Sequence, residues 1–193
     1  AAFHTLFNVT NALLFLPFAR YLANLSIFLI PTGKMDKDEF HLKYISTVLV
    51  STPAININQA RLEMRRMSEI VNDMFDRTIE VFHNPSEKMG DKVEEILKLE
   101  NTVDRLEKEI SDYLVTISQH NISQDQSQEI SSMLHTVNEI ERIGDQSESI
   151  LKLIRRKYDQ KIEFTSHAVK GIDEISGKVR EALALIHKSI SVK

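Results

Sequence analysis

The sequence predicts an all-α protein, an up-down antiparallel bundle of long helices preceded by a hydrophobic N-terminal helix. Only 5 Gly and 4 Pro occur among 193 residues, too few to separate many short strands by turns. Apolar residues recur at alternating spacings of three and four through most of residues 53–190, as they do in helices that bury one face. The chain has no Cys, which excludes a disulfide scaffold, thiolate metal ligands and a cysteine nucleophile.

Charge is distributed unevenly along the chain. Residues 1–35 contain no Asp or Glu and only two basic residues, Arg20 and Lys34. Residues 36–193 therefore hold 22 of the 24 Lys and Arg and all 28 acids, a net charge of −6. The whole chain carries −4, so no broad basic field attracts nucleic acid, and we expect no nucleic-acid partner. Since the first residue is not Met, we expect the sequence to be a fragment.

Residues 1–30 are predicted to form a hydrophobic, membrane-type helix. Phe3–Ala19 has no charged residue, and residues 12–19 are wholly apolar. Seventeen uncharged residues with several polar interruptions are only marginally long enough to span a bilayer. Three interpretations stay open: the last helix of a polytopic membrane domain, which we favour, an amphipathic interfacial helix, or a buried helix of a soluble protein.

Basic residues follow this segment and predict its orientation. The positive-inside tendency places the C-terminal side of such a helix in the cytoplasm. We therefore predict a protein of the cell membrane, with the helical bundle on the cytoplasmic side. The basic residues are Lys34, Lys37, Lys43, Arg61, Arg65 and Arg66.

Turn-forming residues divide the rest of the chain into a linker at 31–52 and a bundle at 53–193. Pro31-Thr32-Gly33 ends the first helix, and Ser51-Thr52-Pro53 supplies an N-cap and a proline at the next helix start. Short connections between long helices favour antiparallel neighbours. A continuous coiled coil would show the same apolar stripe, but the breaks at Pro85 and Asn121 favour folding back. The predicted helices span 53–83, 86–119, 123–158 and 162–190.

The apolar stripes of these helices predict the core. The third stripe runs from Ile130 to Tyr158, and the fourth runs from Val169 to Ile190 and includes Ile175. We expect all of these residues to be buried against neighbouring helices.

Carboxylates stand within two of the predicted stripes. Glu100 and Asp104 are four residues apart on the second helix, as Glu141 and Asp145 are on the third, so each pair shares one helix face. Burying a lone carboxylate costs several kcal/mol, so each must be solvated, paired with a cationic side chain, protonated or bound to a metal cation. Two neighbouring helices could present such oxygens to a hard or borderline cation. Gly144 lies between the two residues of the second pair and would allow another backbone or a ligand to approach closely.

The alternative without a metal is that these acids are ordinary solvated side chains at the edges of the apolar stripes. Their partners would then be Arg105, Lys108 and Arg142, and the spacing alone does not decide between the two interpretations.

Enzymatic functions find little support in the sequence. A di-iron oxidase of the helical-bundle type needs Glu-x-x-His on two helices. Only Glu80-Val-Phe-His83 fits, and it abuts the predicted helix end at Asn84-Pro85. No nucleophile elbow, phosphate-binding loop or metalloprotease motif occurs. We therefore predict that the chain is not an enzyme and has no catalytic residues.

Several segments resemble a known family. Ala2–Leu25, AFHTLFNVTNALLFLPFARYLANL, resembles the closing transmembrane helix of the bacterial sodium/phosphate cotransporter family, and 42–45, 51–55 and 59–67 are similar to that family's junction with its cytoplasmic tail. That tail is PhoU-like, a bundle of long antiparallel helices. Glu141-Arg-Ile-Gly-Asp145-Gln-Ser-Glu148-Ser-Ile150 is similar to the PhoU signature helix.

The resemblance implies a metal site. Glu141 and Asp145 would be ligands, faced by Glu100 and Asp104 from the adjacent helix, while Glu148 would be a ligand or a charge at the bundle edge. The expected cofactor is a metal ion or a multinuclear cluster of iron, zinc or nickel.

The chain also departs from the family pattern. Residues 53–158 would make one three-helix PhoU repeat where a full PhoU protein has two, and 162–190 would start a second repeat or complete a four-helix bundle.

The function implied is that of a cytoplasmic PhoU-like regulatory domain of a sodium-dependent phosphate transporter, which modulates phosphate uptake or signalling. The expected partners are the transport domain of the same polypeptide, a phosphate-signalling protein, the membrane through residues 1–30, and a second copy in a homodimer. The alternative is a metal-free structural helical bundle or dimerisation module. A coiled-coil segment of a membrane receptor is a third possibility, which predicts an extended rod.

Overall fold

The computed structural model describes residue 7 and residues 42–45, 52–84 and 89–191. The predicted helix at 1–30 and most of the predicted linker at 31–52 lie outside the described residues. The chain divides into two compact units, Ala1–Phe40 and His41–Lys193, and the helical architecture belongs to the second. Among the described residues, no helix is both long and apolar enough to cross a membrane.

Four helices make up the second unit, and its described residues contain no strand. This confirms the all-α class. The helix α4 begins at Ser166 and not at residue 162, because the Thr165 hydroxyl accepts a hydrogen bond from the backbone N–H of Ala168 (3.2 Å) and caps the helix there. The helices are α1 (Pro53–His83), α2 (Met89–Ser118), α3 (Gln124–Asp159) and α4 (Ser166–Ser191).

Side-chain contacts give the direction of each helix. Tyr113 bonds Gln59 and Lys92 bonds Glu80, so α1 and α2 are antiparallel. Arg61 at the start of α1 pairs with Glu129 at the start of α3, which makes those two helices parallel. The polar contacts between α1 and α4 run antiparallel, so the topology is up-down-up-down.

The helix α1 is the centre of the bundle, since it packs against each of the other three helices. Its stripe is buried along its whole length, as the apolar spacing predicts. The helices α2 and α3 pack on α1 and on each other, whereas α4 packs mainly on α1. The buried α1 stripe comprises Ile57, Ala60, Met64, Met67, Val71, Met74, Thr78 and Phe82.

Two residues of the predicted stripes are exposed. Tyr158 is 46% exposed because it lies in the last turn of α3. Ile175 is 65% exposed, and its neighbour Ser176, 3% exposed, takes the buried position in that turn of α4. The periodicity permits either residue at this point, and the rotation of α4 on α1 decides it.

Polar contacts along α1 fix the position of α4. His83 Nε2 lies 2.8 Å from Asp173 Oδ1, Arg180 Nε lies 2.6 Å from Asp76 Oδ1, and Ser68 Oγ lies 2.9 Å from His187 Nδ1. The three contacts are spread along most of α4, so they set its register even where apolar contact is sparse.

A buried acid connects α1 to the segment that precedes it. Glu63 has a fully buried side chain, and its carboxylate accepts a hydrogen bond from the backbone N–H of Tyr44 (2.5 Å) and pairs with Arg66 (3.2 Å). These partners satisfy a carboxylate that would otherwise be costly to bury. Part of the predicted linker is therefore held against the bundle.

The start of α3 has a reciprocal cap. The Ser123 hydroxyl accepts a hydrogen bond from the Gln126 N–H (3.2 Å), and the Gln126 side chain accepts one from the Ser123 N–H (2.9 Å). This is a capping box, and Ser-x-x-Gln is its sequence signal.

We expect Ser123→Ala to lower the free energy of unfolding by about 1 kcal/mol, because the backbone N–H of Gln126 loses the hydroxyl that accepts its hydrogen bond. Urea unfolding followed by circular dichroism measures the change. Ser127→Ala, an exposed change one turn further along α3, is the control and should alter stability by less than about 0.5 kcal/mol. Equal effects of the two changes would contradict the role of the cap.

Candidate carboxylate site

A glycine brings α3 close to α2. Gly144 is buried, and a Cβ atom at this position would lie 3.3 Å from Val103 Cγ1 and 3.8 Å from Val71 Cγ2. A side chain here would therefore press on Val103 of α2, whereas its distance from Val71 of α1 would be an ordinary van der Waals contact. The sequence predicted that another backbone or a ligand would approach Gly144 closely, but the group that approaches it is the side chain of Val103.

This contact sets the register of the two carboxylate pairs. On α2 the Glu stands three residues before Val103 and the Asp one residue after it; on α3 Glu141 and Asp145 stand in the same relation to Gly144. Because the two helices are antiparallel and touch at these two residues, both pairs lie beside the same point of contact.

The carboxylates of Glu100, Asp104 and Asp145 converge. Each offers an oxygen, and these oxygens all lie within 4.8 Å of one another. Glu100 is half-buried, whereas Asp104 and Asp145 are exposed to solvent. Three of the four residues predicted as ligands thus meet at one place, contributed by two helices.

Glu141 lies at the edge of this group. It forms a side-chain hydrogen bond with Asp145, and the charge of Asp104 acts on it electrostatically. It is not one of the three residues whose oxygens converge within 4.8 Å.

Crowding of like charges is visible in the pKa values. Partial burial, together with the charges of Asp104 and Glu148, raises the pKa of Glu100 to about 7. Burial and the Asp145 charge likewise raise the pKa of Asp104. The pKa of Glu141 is raised by burial and then by Asp145. A proton or a bound cation would relieve this repulsion.

Cationic side chains nearby have carboxylate partners at the margin of the group. Lys152 Nζ lies 2.5 Å from Glu148 Oε2. Arg142 is a residue that would pair with the predicted ligands if they bound no metal. Its Nη1 atom lies 2.9 Å from Glu139 Oε1. The structure therefore gives Arg142 a partner outside the group.

Two further acids belong to the electrostatic surroundings. The Glu148 charge acts on Glu100 and Asp104, and the Glu107 charge acts on Glu141. From the sequence, Glu148 was expected to be a ligand or a charge at the bundle edge, and Glu107 was not singled out. Each follows an Asp of the group by three residues, so the helical period was a signal for both.

The donor set fits a divalent cation. Metal–oxygen distances of about 2.0–2.6 Å place two oxygens on one ion at most about 5 Å apart, and the observed limit of 4.8 Å falls within that range. The exposure of two of the three acids leaves room for water to complete the coordination. All three donors are carboxylates, which suit hard and borderline cations.

Part of the described region matches a known family model. Residues 64–154 match the family model of the PhoU domain. The matched segment takes in most of α1, all of α2 and most of α3, so it contains both carboxylate pairs. No curated protein and no solved structure matches the chain.

The match agrees with the coarser part of the sequence-based interpretation. It supports a PhoU-like helical bundle and a helical domain related to phosphate regulation. The cotransporter family stays a prediction.

The tight contact at Gly144 can be tested with a second glycine as control. Ala has about 1 kcal/mol better helix propensity than Gly. At Gly171 on α4, where a Cβ would meet nothing within 4 Å, we expect Gly171→Ala to stabilise the protein by about 0.5–1 kcal/mol. Gly144→Ala should raise the free energy of unfolding by less than this or lower it, because the stiff β-branched side chain of Val103 cannot easily move away from the added methyl group.

Val103→Ala completes a double-mutant cycle. We expect the cost of Gly144→Ala to fall by about 0.5–1 kcal/mol when Val103 is shortened, which urea unfolding of the four proteins measures. A coupling near zero, or equal gains at Gly144 and Gly171, would contradict the contact.

The pKa of Glu100 predicts a pH dependence for the metal-free protein. Its folded pKa of about 7 exceeds the unfolded value of about 4.3, so the free energy of unfolding should fall as pH rises between these values. We expect Glu100→Gln to stabilise metal-free protein at pH 8 by about 1 kcal/mol, allowing for solvent screening of a half-buried group, and to have little effect at pH 4. Urea unfolding at both values measures this.

Glu109→Gln is the matched control, since it changes an exposed Glu on the same helix. It should shift stability by less than about 0.5 kcal/mol at either pH. An effect of Glu100→Gln that is larger at pH 4 than at pH 8 would contradict the expected direction of the pH dependence.

Proposed function

We propose that this chain is the regulatory domain of a sodium-dependent phosphate transporter and that it binds a divalent metal cation between α2 and α3. The observation that carries the proposal is the convergence of Glu100, Asp104 and Asp145 inside the PhoU domain. Glu141 completes the set at its edge. We propose no catalytic role for these residues.

The residues themselves suggest how a cation would act. Repulsion among the acids opposes the close approach of α2 and α3, whereas the packing of Gly144 on Val103 favours it. A cation held by carboxylates of both helices would neutralise that repulsion and favour the closed contact. Metal occupancy would thereby govern the rigidity of the surface that the domain offers to a partner.

The cellular context of the proposal comes from the resemblance. Residues 1–30 would attach the domain to the membrane, with the bundle in the cytoplasm. The partner would be the transport domain of the same polypeptide or a phosphate-signalling protein. Iron, zinc and nickel are the metals that the resemblance implies, as single ions or as a cluster.

Metal binding is tested with protein purified without added metal and then titrated with Zn²⁺, Ni²⁺ or Fe²⁺. We expect a stoichiometric metal content and a rise in the free energy of unfolding of about 2.7 kcal/mol when free metal is 100 times its Kd. Asp104→Asn/Asp145→Asn should abolish both effects. Elemental analysis and urea unfolding provide the two measurements.

Exposed acids outside the group provide the control. Asp112→Asn/Glu109→Gln removes the same charge from α2 away from the site and should bind metal as the unmodified protein does. If the unmodified protein and Asp104→Asn/Asp145→Asn hold equally little metal and unfold alike, the chain is the metal-free structural module.

The transporter context needs a separate measurement in cells that express the complete gene product. We expect sodium-dependent uptake of labelled phosphate whose response to external phosphate is altered by Asp104→Asn/Asp145→Asn, while its sodium dependence is retained. Absence of sodium-dependent uptake from the complete product would overturn the transporter assignment and leave the metal proposal to its own test.

A further inference from the structure

An apolar groove lies between α3 and α4. Both helices pack on α1 but make little contact with each other, and the floor of the groove is formed by α1 residues such as Phe75 and Phe82. Leu153 stands on the α3 rim and Ile175 on the α4 rim. The groove encloses about 320 Å³, which is within the range of small-molecule sites.

The rims of the groove expose large apolar side chains to solvent. Leu153 is 64% exposed and Ile175 is 65% exposed. Burying one such side chain contributes about 1.5–3 kcal/mol, so the two rims leave a substantial driving force for a ligand that covers them.

One cation stands in the lining of this groove. Lys157 Nζ lies 5.2 Å from the ring centroids of both Phe82 and Phe164, and the two centroids are 5.9 Å apart. The rings hold the ammonium in place by cation–π attraction. Within the described part of the chain, Lys157 has no carboxylate within ion-pair distance. As far as the described residues go, its ammonium donors are therefore available to an anion.

Charge is confined to one end of an otherwise apolar surface. Lys157 and Ser176 are the polar side chains of the lining. The lining extends over seven helical steps along α1, from Phe75 to Phe82, and Lys157 lies beside Phe82 at one end. At 1.5 Å per residue this apolar track is about 10 Å long.

We propose that this groove binds a single-chain amphiphile with an anionic head, of the medium-chain fatty-acid class. The chain lies along the α1 floor between Leu153 and Ile175, and the carboxylate binds the Lys157 ammonium. The lining favours such a ligand, since an apolar track about 10 Å long ends at one cationic side chain.

Isothermal titration calorimetry of the full chain with decanoate, below the concentration at which it forms micelles, tests the proposal. We expect one saturable site per chain. Across hexanoate, octanoate and decanoate, affinity should rise about four-fold per methylene group until the groove is filled. Decanol should bind about ten-fold more weakly than decanoate because it lacks the charge that pairs with Lys157.

Variants separate the tail site from the head site. Ile175→Asp places a charge on the exposed rim and should reduce decanoate affinity at least ten-fold. Leu185→Asp is the matched control, because Leu185 is a 68% exposed residue of the same helix outside the groove, and it should leave affinity unchanged. Lys157→Met should remove the preference for decanoate over decanol while decanol still binds.

The same proteins reveal other occupants. Equal affinity of Ile175→Asp and Leu185→Asp for decanoate would overturn the proposal. Sedimentation showing a dimer that Ile175→Asp dissolves and decanoate leaves intact would assign the groove to a second copy instead. Binding to vesicles of phosphatidylcholine and phosphatidylglycerol without binding to free decanoate would assign it to a membrane surface. Circular dichroism confirms that each variant is folded.

Discussion

The contact between Gly144 and Val103 is the constraint on which the candidate site depends. It is a packing interaction between two apolar groups, yet its main consequence is electrostatic. A glycine lets the backbone of α3 lie against the side chain of Val103, and acids one turn before and one residue after this point then face their counterparts across the helix interface. Were the helices held further apart by a side chain, the same acids would be separate and solvated.

Packing and charge therefore oppose each other at this interface. Burial of Val103, Val71 and their neighbours draws the helices together, while burial and then repulsion from neighbouring carboxylates raise the pKa values of Glu100 and Asp104. Such an arrangement responds to protons and to cations because both relieve the repulsion without disturbing the apolar contact. The opposition suits the interface to regulation, independent of which metal occupies it.

The two faces of α3 serve different chemistry. One face meets α2 and carries acids, whereas the other borders an apolar groove with a single cation, Lys157. The groove exists because α4 depends on α1 for its packing and is positioned by polar contacts, among them those of Asp173 and Arg180. Long helices that share one central helix can thus present two unlike sites without a change of fold.

The sequence by itself determined the helical class, the breaks near Asn84 and Asn121, and the buried stripe of α1, since each depends on local periodicity or turn chemistry. It also placed Glu141 and Asp145 on one face of their helix. Only the tertiary structure decided that Asp145 joins Glu100 and Asp104 while Glu141 stays at the edge, that Ser176 is buried and Ile175 exposed, and that Glu63 is buried. These outcomes depend on the rotation and separation of packed helices. A spacing of three or four residues does not fix the rotation of a helix about its own axis to better than about half the width of its apolar face. The helices packed against it therefore decide which residues at the edge of that face are buried.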